Sequence, residues 1–275
     1  MKSILVHLDA SPRSATRLAL AHRLARQHGA QLTAVFAVLP AIVAVPFAAA
    51  EGAYAAASLL EETDRQLRAR AREMFEREAV SGVPMQWFEI RHDTLEVAVV
   101  EHALFADLLV LGQHDPDDRE AGPVPRGLVA TLVHDSGKPA LVLPAQGEFG
   151  APVRRVLIAW KPTPEAARAV AAARPWLLAA EEVHVACTLA RRDDERTGVA
   201  ALERWLRASG VTAPIRSHGL AGTGIGEALL SVAADTDADL LVMGCYGHSR
   251  ARELVLGGVT RTVLRSMTLP VLMAH

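Results

Sequence analysis

The chain has 275 residues, 51% of them apolar and 22% charged, with a net charge of −2. That balance supports a buried core, argues against a disordered chain, and offers no overall field to attract nucleic acid or anionic lipid. Two cysteines, Cys187 and Cys245, are too few for a disulfide framework, so a reducing cytoplasm is the expected compartment.

The chain opens with Ser3-Ile-Leu-Val-His-Leu-Asp9, a short β-branched run that His7 and Asp9 cut off, unlike a signal peptide. In the first half, strands are expected at 3–8, 31–38, 85–90, 107–111 and 139–143, with helices at 13–28, 56–80, 94–103 and 127–134. The most membrane-like stretch, 35–50, contains Pro40 and Pro46 and reads as an apolar loop spanning 38–60, not a membrane span. Residues 146–152 read as a linker. In the second half, strands are expected at 153–159, 182–187, 213–217, 239–243 and 270–274, with helices at 164–179, 194–209, 224–235 and 259–266. Alternation of apolar strands with helices implies an α/β fold, a parallel sheet covered on both faces.

The halves repeat one unit. Arg155-Val-Leu-Ile-Ala-Trp-Lys161 answers the opening strand, and each strand leads through a Ser/Thr-Pro step (Ser11-Pro12, Thr163-Pro164) into a helix. Ala106-Asp-Leu-Leu-Val-Leu-Gly112 answers Ala238-Asp-Leu-Leu-Val-Met-Gly244, and Lys138-Pro-Ala-Leu-Val-Leu143 answers Leu269-Pro-Val-Leu-Met-Ala274. The later landmarks lie 131 to 132 residues apart and the first 152, so about 20 extra residues are expected after Val38. This divides the chain into domains at 1–145 and 153–275.

Met243-Gly244-Cys245-Tyr246-Gly247, followed by Gly257-Gly258-Val259-Thr260, is the most distinctive stretch. A strand, a glycine loop and a helix N-terminus together aim backbone N–H groups at phosphate oxygens. With its flanking strands and the duplication, Gly244-x2-Gly247-x9-Gly257 resembles the nucleotide-binding signature of universal stress proteins, over essentially the whole chain. The resemblance implies two tandem flavodoxin-like or Rossmann-like domains, each with five parallel strands in the order 3-2-1-4-5. It also implies a site for ATP or another adenine nucleotide, with or without Mg, in the second domain. Carried over, Gly244, Gly247, Gly257 and the amides of Gly258, Val259 and Thr260 face the phosphates, Ala159 and Trp160 lie at the base end, and Lys161, Met243 and His248 complete the expected nucleotide-binding set. Family members pair through their last strands, which a tandem chain can do internally; a homodimer through edge strands is a further expectation.

Two positions depart from the family pattern. Gly258 stands where a Ser or Thr is usual, leaving Thr260 as the nearest hydroxyl, and Lys161 replaces the usual acidic residue after the first strand. The first half has the opposite defect. Asp9 keeps the acidic position, but Gly112-Gln-His-Asp115-Pro-Asp-Asp118 puts carboxylates where phosphate would sit, so this domain is expected to be degenerate and nucleotide-incompetent.

Other signals are weaker. Gly219, Gly222, Gly224 and Gly226 miss the dinucleotide spacing because Glu227 stands at the last glycine position. His184 and Cys187 lie three apart on a strand and face opposite ways, so neither a shared metal nor any other metal set is expected. Cys245 reads as a packing residue. Arg250, Arg252 and Arg261 lie near the expected phosphates. No Walker lysine or nucleophile–base pair is present, so no catalytic residue is assigned and catalysis is not required. The expected function is a nucleotide-responsive stress sensor or adaptor. Rival readings are an adaptor or apolar-ligand-binding protein with vestigial glycine loops, and an enzyme of the adenine-nucleotide α-hydrolase-like group.

Overall fold

The computed structural model describes residues 1–40, 53–79, 82–90, 95–188, 194–222, 224–245 and 258–275, with side chains from 58 in the second segment and from 198 in the fifth. Its contacts divide it into two compact units, Met1–Lys138 and Pro139–His275.

The first unit runs β1 (Ser3–Leu8), α1 (Arg13–His28), β2 (Gln31–Ala37), α2 (Ala53–Glu78), β3 (Met85–Ile90), α3 (Leu95–Ala103), β4 (Leu108–Gly112) and α4 (Leu128–Ser136). Its strands lie in the order β3-β2-β1-β4, all pairs parallel. Strand alternation places helices on both faces: Trp87 meets Phe75 of α2, while its neighbour Phe88 lies against the His102 ring of α3, tilted by 43°. This is why β1 and β4 carry continuous apolar runs, Ile4-Leu5-Val6 and Leu108–Leu111, buried on both sides.

The second unit holds β5 (Ala140–Leu143), β6 (Arg155–Ala159), α5 (Pro164–Ala172), α6 (Arg174–Ala179), β7 (Glu182–Thr188), α7 (Asp194–Ala208), β8 (Ile215–Leu220), α8 (Ile225–Asp235), β9 (Leu240–Gly244), α9 (Val259–Ser266) and β10 (Val271–Ala274). Here β8-β7-β6-β9-β10 are parallel neighbours, which is the expected 3-2-1-4-5 order. The last strand of the first repeat, β5, pairs antiparallel with the last strand of the second, Val142 opposite Val271.

The repeated Ala-Asp-Leu-Leu-Val run has a shared structural cause. Asp239 accepts hydrogen bonds from the Arg154 and Arg155 amides, both at 2.8 Å, and Asp107 does the same for Lys2 and Ser3. Each aspartate thereby fixes the start of the fourth strand beside the first. That register sets the C-terminal ends of β1 and β4 side by side in the first unit, and separately those of β6 and β9 in the second.

Two expectations shift. The helix expected over 164–179 is two helices, because Pro175 lacks an N–H and its ring crowds the carbonyl four residues back. The extra residues of the first half do not all enter a loop. α2 begins at Ala53, in the run Ala53-Tyr-Ala-Ala-Ala, and has 26 residues against 15 in its counterpart α7. Residues 41–52 of the expected apolar loop lie outside the described residues.

Candidate functional site

In the first unit the turn after β1 is closed on itself. Asp9 is 6% exposed and Arg17, about one turn into α1, 5%. Arg17 Nη2 lies 2.6 Å from Asp9 Oδ2 and donates to Ser14 Oγ at 2.7 Å. Asp9 Oδ1 accepts from the Ser11 amide and the Ser14 hydroxyl, both at 2.9 Å. Arg17 Nε donates to the His7 carbonyl, and His7 Nε2 lies 2.9 Å from the Ala37 carbonyl. Burial alone would raise the Asp9 pKa, but the Arg17 charge, His7 and the Ser11 hydrogen bonds reverse it, to about 2. Burial pushes His7 the other way, below its ordinary value, and keeps it neutral.

The segment after β4 then covers this sheet end. The Ala10 amide donates to Ala121 O at 3.1 Å and the Leu39 amide to Pro123 O at 3.0 Å. Val124 packs on the buried cluster of Ala10, Phe36, Val38, Leu67 and Ala71. Gly122, at φ +81°, is pressed against that cluster, since a Cβ there would lie 2.8 Å from Val38 Cγ1. The aspartates expected to repel phosphate serve the segment itself. Asp118 Oδ1 accepts from the Glu120 and Ala121 amides, and Asp115 Oδ1 from the Asp117 amide.

In the second unit the residues expected at the base end lie at the end of β6. Ala159 pairs with Ala186 and Met243, and the Trp160 amide donates to Ala186 O at 2.8 Å. Trp160 Nε1 is buried beside Gly198 and Pro162 and has no hydrogen-bond partner among the described residues. Lys161 is exposed. Thr163 caps α5 by accepting from the Ala166 amide at 3.4 Å, with Pro164 in the first turn. Glu165, missed by sequence reasoning, puts a carboxylate beside this turn. Burial would raise its pKa, but its own backbone amide, the Thr163 hydroxyl and Arg168 hold it below the ordinary value.

The residues after β9 divide by role. Met243 is 3% exposed in the sheet core, paired with Ala159 and Met273. Gly244 has a packing reason of its own, because a Cβ there would lie 2.4 Å from the Ala166 amide nitrogen and 2.7 Å from the Glu165 carbonyl carbon. Cys245 is buried, its amide bonded to Ala274 O and its sulfur 3.4 Å from the same oxygen. Gly247, His248 and Gly257 lie outside the described residues, as do Arg250 and Arg252. Gly258 is the N-cap of α9, at φ −56° and ψ 156°, with no side-chain cap. The α9 bonds from this cap start at the Arg261 and Thr262 amides, which both reach Gly258 O. The Val259 and Thr260 amides are left without an acceptor among the described residues. Thr260 is only 3% exposed.

Gly226 of the failed dinucleotide run packs α8 on α9, where its Cβ would lie 2.7 Å from Thr262. Among the described residues no group of three or more His, Cys, Asp or Glu could hold a metal, and no helix is long and apolar enough to cross a membrane.

A family model for the universal stress protein family matches residues 1–143 and again 152–275. The chain belongs to the universal stress protein family. Its fold is similar to that of a universal stress protein from Archaeoglobus fulgidus, at TM-score 0.70 and 15% identity, covering 99% of this chain and 95% of that one. A putative universal stress protein from Pseudomonas aeruginosa matches at TM-score 0.57 and 17% identity, covering 99% and 92%. In sequence, a universal stress protein from Synechocystis is 50% identical over 46 residues, a match spanning 17% of this chain and 16% of that relative. Within this tandem universal stress protein, sequence reasoning missed Ser14 and Arg17. Their spacing of three on α1, after an aspartate-ended strand, was the available signal.

Proposed function

We propose that the second unit binds an adenine nucleotide, ATP foremost, and that the protein acts in the cytoplasm as a nucleotide-responsive sensor or adaptor. The observation that carries this reading is the start of α9. Its first amides, at Val259 and Thr260, have no acceptor among the described residues, and its cap, Gly258, offers no side chain to satisfy them. Such a helix end favours an anion through both its N–H groups and its dipole. The first repeat lacks this chance because its own segment, Asp118–Val124, already covers the equivalent sheet end. Any magnesium would arrive with the phosphates, which are its usual ligands in nucleotide sites.

Calorimetric titration of the folded protein with ATP, AMP and NAD tests the reading. One site per chain is expected for an adenine nucleotide. Absence of heat with every one of them would overturn it and favour the vestigial-loop adaptor.

A further inference from the structure

A second polar cluster lies away from the glycine loop, on the outer strands of the second unit. His184 of β7, in register with Arg216, meets His218 of β8 diagonally across the ladder, Nδ1 to Nε2, at 2.9 Å. Ser217 bonds Glu203 of α7, so Ser217 points to the α7 face and His218 to the opposite one, where α8 packs on β7 and β8. The charged groups facing the pair are few. Glu182 Oε2 lies 3.3 Å from His184 Nε2, a contact too poorly aligned to count as a full hydrogen bond, and Glu182 Oε1 lies 3.3 Å from Arg216 Nη2. From β6 the register partner is Leu157, and the buried residues of α8 are Gly226, Leu229 and Ala233; its Glu227 and Asp235 are exposed.

Two imidazoles 2.9 Å apart need one proton between them. With Glu182 drawing the His184 proton to Nε2, the Nδ1 lone pair accepts from His218 Nε2–H. A proton added at His184 Nδ1 would set two N–H groups against each other, next to Arg216. Burial, the neighbouring His218 and Arg216 all oppose that charge more than Glu182 favours it, so His184 resists protonation in the fold. Unfolded or opened, it does not. Opening therefore gains on closing as pH falls below the ordinary histidine range.

We propose that the His184–His218 pair is an acid-released catch holding β8 and α8 against the second unit. α8 passes the change to α9 because Gly226 and Thr262 leave no slack between the helices. The catch does not depend on what the start of α9 binds.

Hydrogen exchange on the full chain, corrected for intrinsic rates, reads it directly. Between about pH 7 and pH 5 the opening constant of residues 215–235 should rise by up to about tenfold per pH unit, with 259–266 following less steeply. His218→Gln should flatten this slope, because a glutamine amide can turn to offer either a donor or an oxygen acceptor. His184→Asn should do the same by removing the titrating ring. A slope equal in the wild type and both variants, or no slope in the wild type, would overturn the proposal. Imidazole resonances give a check on the wild type alone. Both rings charging in the ordinary histidine range, with β8 exchange unchanged, would also overturn it.

Discussion

The turns after β1 and after β6 begin at the same point of a repeated unit and end in different chemistry. After β1, Asp9 turns inward to Arg17 and Ser14, and the segment beyond β4 lies over the sheet end. After β6 there is no acidic residue at the matching place; Lys161 is exposed, and the end of β9 is held by backbone packing of Gly244 on α5. The acidic position that the family pattern associates with ribose is thus kept in the repeat where it is used for packing. A retained motif residue shows that a position is needed, not what it is needed for.

The largest effect should come from breaking the first of these turns. Arg17→Met leaves the Asp9 carboxylate buried without its cation, which typically costs about 3–5 kcal/mol. Asp9→Asn combined with Arg17→Met removes both charges and should restore much of that loss. Urea denaturation of the two variants measures the difference, and equal stabilities would show that the pair does not act as a unit.

Gly112 and Gly244 sharpen the contrast, because the two matched glycines are crowded by different things. At Gly112 a Cβ would lie 2.4 Å from Arg17 Nη1, a side-chain tip, whereas at Gly244 it would meet the α5 backbone. Gly244→Ala should therefore destabilise by about 3 kcal/mol, at the upper end for overpacking, in any background. The cost of Gly112→Ala should largely vanish once Arg17→Met is present. A double-mutant cycle by thermal melting distinguishes them: additivity at Gly112 with Arg17 would refute the assigned clash.

Much of this fold was legible in the chain because its central strands are continuous apolar runs buried on both faces, while the outer β3 and β8 are mixed and largely exposed. All ten strands fall within two residues of their expected starts. The end of the helix at Ala172 was readable from Pro175 and was missed, because the alanine-rich period runs straight through it. The site was legible only in outline. Ala159 and Trp160 are at the end of β6 as expected, but Met243 belongs to the core and Gly244 has a packing reason before any ligand is considered. The Asp9–Arg17 cluster depends on how α1 docks on β1, a tertiary fact that neither periodicity nor motif spacing carries.

Acid should separate the two turns as well. Asp9 has its pKa lowered from 3.8 to about 2 in the fold, so its contribution is fully present above the unfolded value and is lost as pH falls through the folded one. A shift of that size corresponds to about 2 kcal/mol, released between about pH 4 and pH 2. His7 acts earlier and in the same direction: buried neutral, it lets the unfolded chain take up a proton first as pH drops below the ordinary histidine value. Residues 1–138 should accordingly lose protection in two stages, near neutrality from His7 and below about pH 4 from Asp9. Asp9→Asn should shrink the second stage and leave the first; a remainder is expected from Asp107, whose carboxyl the Lys2 and Ser3 amides hold below the ordinary value. Hydrogen exchange followed segment by segment reads both, and a second stage undiminished in Asp9→Asn would move the acid response to other carboxylates. The second unit has no buried carboxylate–arginine pair at its matching turn among the described residues, so its early response should follow His184 and its late one should be shallower.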